Sequence, residues 1–255
     1  MKHRVALIAL TSLGVALSSV PASAAESSAV VALVAVVARG AMGEIVPLYE
    51  REHPGTHVQV DYGGAQVLVA EVEAGEPVDL IMVGETALAP LSAQGKIAAP
   101  VGILAYREAV LVPRGSKKVR SLRDLANPGV HVALGTANSP PATYAHEVLS
   151  KASKSYGADF ERKVLANVTT TKTSSAEIAL AVKNGLVDAA IGFTSDESEA
   201  VDAIAVPAED DVVTVSRAAV VTGAPHAAAA QAFLDYLRGP EAQAIFHKHH
   251  LDAPH

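Results

Sequence analysis

Arg39 stands where a charge is hardest to leave unpaired. It follows the continuous apolar run Val30 to Ala38 and precedes Met42, Ile45, Val46 and Tyr49, which recur at helical spacing. A guanidinium between a buried strand and a helix start needs a counter-ion. That partner is either an internal carboxylate, such as Glu44, or a bound anion, whose oxygens the planar fork holds through paired hydrogen bonds. Gly40 follows directly, and three further strand-to-helix junctions have comparable chemistry: Gly63-Gly64-Ala65-Gln66, Thr136 to Pro141, and Thr173-Ser174-Ser175. Each exposes unpaired backbone amides and the positive end of a helix dipole, which stabilises a nearby negative charge by roughly 0.3–1 kcal/mol at the surface. Amides converging from two sides would form a closed anion site.

Purely structural readings stand beside these. Ser174-Ser175-Ala176-Glu177 matches a capping box. Gly63-Gly64 can be a simple turn, although a missing Cβ also lets the backbone approach a ligand closely. Ser139-Pro140-Pro141 fits the N-cap and first positions of a helix as well as it fits a ligand contact. His247, His249, His250 and His255 cluster at the C-terminus. Clustered imidazoles can bind zinc, copper or nickel, but a solvated helix end explains them more simply, so no metal site is assigned. The G-x-S-x-G elbow, the phosphate-binding G-x4-G-K-[ST] loop, H-E-x-x-H and G-x-G-x-x-G are all absent, so neither catalytic residues nor a cofactor are expected.

The elements that position these junctions follow from periodicity. Strand Val30–Ala38, a helix closed by His53-Pro54-Gly55, strand His57–Tyr62, a helix closed by Gly75 and strand Val78–Val83 read as β-α-β-α-β. That is the pattern of a parallel sheet with crossover helices. The middle repeats it, with strands at 109–112, 130–134, 164–168 and 187–193 and helices near 142–151 and 175–184. A strand at 212–221, a helix at 227–237 and a short final helix complete the chain. The expected fold is α/β with two lobes, each a mostly parallel sheet flanked by helices. Lobe one takes 25–105 plus 216–255 and lobe two takes 106–215, the chain crossing near 104–107 and 214–217.

Residues 1–24 have the form of a secretory signal peptide: Lys2 and Arg4, an apolar stretch to Leu17, then Ala22-Ser23-Ala24. Cleavage after Ala24 leaves 18 basic against 27 acidic residues, a net charge of −9. Such a balance argues against nucleic acid as a partner. It also requires an anion site to attract its ligand locally. With no cysteine in the chain, no lipid anchor is expected, and the absence of disulfides is compatible with the periplasm in a chain of this size.

The stretches EVEAGEPVDLIMVGE (71–85) and GILAYREAVLVPRGS (102–116), supported by PPATYAHEVL (140–149), AAIGFTSDE (189–197) and FLDYLRGPEAQAIF (233–246), resemble the periplasmic molybdate-binding proteins of ABC importers. The resemblance spans essentially the whole chain after residue 24. It implies a type 2 periplasmic-binding-protein fold with a ligand cleft between the two lobes, closure on a small anion of the molybdate or tungstate type, delivery to a membrane permease, and a monomer. It carries the family's oxyanion contacts onto Arg39, Ala65 or Gln66, Pro141, Ser174 or Ser175, and Phe193. Arg39 and Ala65 or Gln66 stand where the family has serines, and Phe193 where it has a tyrosine. Pro141 offers no amide. An arginine suits a planar carboxylate or a phosphate-like group at least as well as tetrahedral molybdate.

Overall fold

The computed structural model describes residues 28–137 and 139–254; the signal-peptide reading of 1–24 lies outside them. β1 (Ser28–Ala35) passes into a 3-10 turn at Val36–Ala38 and then α1 (Arg39–Glu52). β2 (Thr56–Gly63), α2 (Ala65–Ala74), β3 (Leu80–Gly84) and α3 (Glu85–Ala93) follow. The long β4 (Val101–Pro113) leads into β5 (Val132–Gly135), α4 (Pro140–Tyr156), α5 (Phe160–Ala166), β6 (Val168–Lys172), α6 (Ser175–Lys183) and β7 (Ala189–Phe193). The chain closes with β8 (Val201–Ala205), β9 (Val213–Val220), α7 (Ala227–Leu237) and α8 (Pro240–Lys248).

Strand order is β2-β1-β3-β9-β4-β7-β5-β6, with β8 also on β4. The flanks are parallel, β1 pairing with β2 and β3, and β5 with β6 and β7. β4 and β9 run antiparallel to their neighbours because they carry the chain from one half to the other. β4 pairs with β9 as far as Arg107 and with β7 from Glu108 onward. One strand therefore belongs to two sheets, and the change of partner marks the crossing.

Apolar residues cover both faces of each half. Val30, Ala32 and Val34 pack with Met42, Ile45 and Tyr49 of α1 and Phe233 of α7, while Leu33 packs with Leu68, Val72 and Leu88 of α2 and α3. In the other half Val110, Val132 and Ile191 meet α4 and α5, and Ala109, Ala133 and Ala190 meet α6. β3, β5 and β7 are buried on both faces throughout, which explains why they read as unbroken apolar runs, whereas the flanking β2 and β6 are partly exposed and carry polar residues.

The structure corrects several readings. The run Val30–Ala38 does not stay extended, since helical turns begin at Val36. Residues 164–166 are helical, because Phe160 and Val164 bury one face at i, i+4 spacing, and the strand starts only after Asn167 closes α5. α3 and β8 are elements that periodicity left out.

Candidate functional site

The turn at Val36–Ala38, where the first helical segment starts, lies against α6 of the opposite half. The N-terminal ends of the two segments differ chemically. The Val36 turn, α1 and α2 have no side-chain cap and no acidic residue in their first turns. The starts of the Val36 turn and of α2 keep donors that an incoming anion can satisfy, whereas the Arg39 amide at the start of α1 already donates to the Val36 carbonyl. α6, by contrast, satisfies its own end. Ser174 Oγ accepts from the Glu177 amide at 3.3 Å, and Glu177 Oε2 accepts from the Thr173 and Ser174 amides at 3.1 and 3.2 Å and from Thr173 Oγ1 at 2.6 Å. Those hydrogen bonds hold the Glu177 carboxyl below its ordinary value, the Thr173 hydroxyl contributing most.

Arg39 is exposed at the first position of α1, and its guanidinium lies 4.3 Å from the centre of the Tyr62 ring. The ring supports the cation from one side, and the exposure of Arg39 leaves N–H donors within reach of a ligand. Burial pushes the Tyr62 phenol up while the Arg39 charge pulls it back. Glu44, the internal carboxylate that stood as the alternative to a bound anion, is taken: it pairs with Lys248 at 2.7 Å and His249 at 2.8 Å. Gly40 sits under His249, whose Nδ1 lies 3.0 Å from where a Cβ would be.

Gly64 is the N-cap of α2 in an extended conformation, with Ala65 and Gln66 at its first two positions. Ser139 caps α4, its Oγ accepting from Ala142 N at 3.4 Å, and Pro141 lies in that helix's first turn. Ser175 is buried at the start of α6. Phe193 is buried beneath Tyr106 and Tyr144, and its amide donates to Asp196 at 2.9 Å. Its side chain therefore seals the centre of the molecule and its amide is already committed.

Tyr144 was not singled out from sequence. It projects from the second turn of α4 and packs against the cores of both halves. Its hydroxyl lies 3.5 Å from where a Cβ on Gly84 would be, and that of Tyr106 lies 3.8 Å from the same point. Pro140-Pro141 fixes where α4 begins and so which turn carries the tyrosine. The C-terminal histidines separate onto different carboxylates, His247 on Asp252, His249 on Glu44 and His250 on Glu197. Among the described residues no group of three or more His, Cys, Asp or Glu side chains is arranged to hold a metal ion; His255 lies outside them. No helix among those residues is long and apolar enough to cross a membrane.

Two α/β halves joined by a strand shared by two sheets, with the Val36–Ala38 turn of one half against α6 of the other, are the architecture of a two-lobed binding protein. Residues 30–252 match the family described as bacterial extracellular solute-binding protein, and the chain belongs to that family. It is 30% identical over 235 residues to the putative ABC transporter substrate-binding lipoprotein YvgL of Bacillus subtilis, covering 86% of this chain and 84% of the relative. The periplasmic molybdate-binding protein of Azotobacter vinelandii superposes with a TM-score of 0.74 at 17% identity, covering 89% of this chain and all of that one. PEB3 of Campylobacter jejuni with bound L-phospholactate superposes equally well, with a TM-score of 0.74 at 20% identity over 88% of this chain and all of that one. At such identities the likeness shows the type 2 periplasmic-binding fold that these proteins share.

Proposed function

We propose that this chain is the solute-binding component of an ABC importer, working in the periplasm as a monomer and carrying a small anion to a membrane permease. In this reading 25–105 plus 216–255 form one lobe and 106–215 the other, and the anion is enclosed where they meet. The observation that supports it most is the uncapped helical start at Val36, set against α6, with Arg39 three residues on. Donors without internal acceptors, a cation, and an opposing lobe are what enclosure of an anion needs.

Molybdate or tungstate is the first ligand in this reading, since the resemblance runs through the whole chain. A small organic carboxylate or phosphate is the second, favoured by Arg39 and by the internally satisfied Thr173 and Ser174. A thermal-shift screen with molybdate, tungstate, sulfate, phosphate and small di- and tricarboxylates separates them. Ligand at about 100 times its Kd adds roughly 2.7 kcal/mol of stability. A shift with molybdate or tungstate supports the first reading. A shift with a carboxylate alone overturns it and keeps the transport role, while no shift with any anion overturns the anion-binding reading.

A further inference from the structure

Glu108 is the first residue of β4 beyond the crossing, in register with Phe193 of β7, whereas Arg107 still pairs with Val213 of β9. It is 2% exposed, and its Oε1 has no hydrogen-bond partner. The elements packed around it bring like charge: Asp196 from the turn after β7, Asp211 from the segment entering β9, and Glu147 from α4. The phenol of Tyr106 lies on the same strand, beside the hydroxyls of Tyr144 and Ser216. Nearby cations are spent elsewhere. Arg107 pairs with Asp211, and Lys151 donates to the Asp211 carbonyl at 2.8 Å and lies 3.5 Å from Glu147. A carboxylate stripped of water among carboxylates is far costlier than the neutral acid.

The cover over Glu108 comes from both halves. Tyr106 and Phe193 pack edge to face at 4.8 Å, Tyr144 joins them at 6.3 Å from Phe193, and Tyr144 reaches across to Gly84. Glu147 stands three residues after Tyr144 on α4, so the face of that helix that contacts the other half also turns a carboxylate toward Glu108. An opening that separated Tyr144 from Gly84 would admit water along that face.

We propose that Glu108 is a proton-holding hinge group: the closed molecule keeps its carboxyl neutral, opening releases the proton, and closure on a ligand takes one up. The proposal rests on the closing, two-lobed reading above, but not on which ligand is bound. Burial and the surrounding carboxylates push Glu108 well above its ordinary value in the closed form. Acid therefore favours the closed state and alkali the open one, across the window between the ordinary and the raised value. For an anion-carrying protein, the consequence is tighter capture in an acidic medium and release favoured by an alkaline one.

The test uses the ligand-free chain, whose lack of cysteine lets spin labels be placed at Val67→Cys on α2 and Leu180→Cys on α6, both exposed. Electron-electron distances are recorded from about pH 5 to about pH 8, and the closed-to-open ratio should fall by up to about tenfold per pH unit, the limit for one proton. Glu108→Gln should lose most of the dependence, keeping only the share of Asp196, whose buried carboxyl is itself raised to about 6, while Asp196→Asn, which removes one of the charges that raise Glu108, should keep the dependence but shift it to lower pH. A pH-independent wild type, or a Glu108→Gln variant that keeps the full dependence, overturns the proposal. If Glu108→Gln fails to fold, infrared spectra of Asp196→Asn at about pH 5 and about pH 8 decide: a protonated buried carboxyl band present at the acid end and lost as the molecule opens supports the proposal, and a band absent at both or unchanged between them overturns it. Because no ligand is added, failure of the anion screen leaves these results intact, and the reverse also holds.

Discussion

Arg39 shows how much one side chain can reveal without structure and what it withholds. The sequence exposes the misfit of a charge between strand and helix, and the four candidate junctions, because helix starts are local and their donors follow from backbone geometry. Its stacking on Tyr62 and the capture of Glu44 by Lys248 and His249 join residues far apart in the chain, which no local pattern reports. If the guanidinium serves the anion, Arg39→Ala weakens binding by at least about tenfold, since each charge-assisted hydrogen bond contributes roughly 1.5–3 kcal/mol. Calorimetric titration with the anion found by the screen measures it, and unchanged affinity assigns Arg39 to the Tyr62 stack alone. Glu108 was illegible for the same reason, its burial depending on α4 and on the segments around Asp196 and Asp211. Its raised value means the folded chain binds more protons than the unfolded one above about pH 4.5, where an ordinary glutamate ionises. Folding stability attributable to Glu108 is thus full below that pH and declines as pH rises toward the raised value. Urea unfolding should show Glu108→Gln gaining on the wild type as pH increases, and a constant difference contradicts this sign.

Elements with strong local signals matched their expectations closely, as α7 does at 227–237 and α2 does with its left-handed Gly75 cap. The misread elements were short or β-branched. Val36-Val37 looks extended in any apolar run, and the 164–168 segment mixes a helical turn with a strand start, a confusion inherent in short apolar stretches. Two contacts hold the elements that carry the site. Asp79, fully buried at the foot of β3, accepts from Val31 N at 2.9 Å and from His226 N at 2.7 Å, tying β1 to the start of α7. Asp79→Ala leaves both amides without their acceptor and should cost about 3 kcal/mol, roughly a 6–12 °C fall in melting temperature; a fall under about 2 °C contradicts that role. Gly135 ends β5 where α4 begins, and a Cβ there would lie 2.4 Å from Ala142 N and 2.6 Å from Ser139 Oγ. Gly135→Ala must push the start of α4 away, with Tyr144 behind it, at a cost of about 1–3 kcal/mol. Anion affinity should fall with stability in that variant, whereas a stable protein with wild-type affinity would show that the placement of α4 is not critical.

At the scale of the whole molecule, the two-sheet architecture was legible because alternating strand and helix patterns leave few topologies open. The crossing itself was visible only approximately, since β4 is one continuous apolar strand and its change of partner at Arg107 and Glu108 depends on which strands dock beside it. In the proposed function the molecule is a clamp: uncapped helix ends and Arg39 on one half, α6 on the other, and a shared strand between them. A ligand that touches both halves stabilises the closed form by its differential affinity. Small-angle X-ray scattering of the protein with and without a saturating amount of the anion that raises its melting temperature tests this most directly. Ligand should reduce the radius of gyration and sharpen the distance distribution as open molecules close, and an unchanged profile with a demonstrably bound anion would contradict the account.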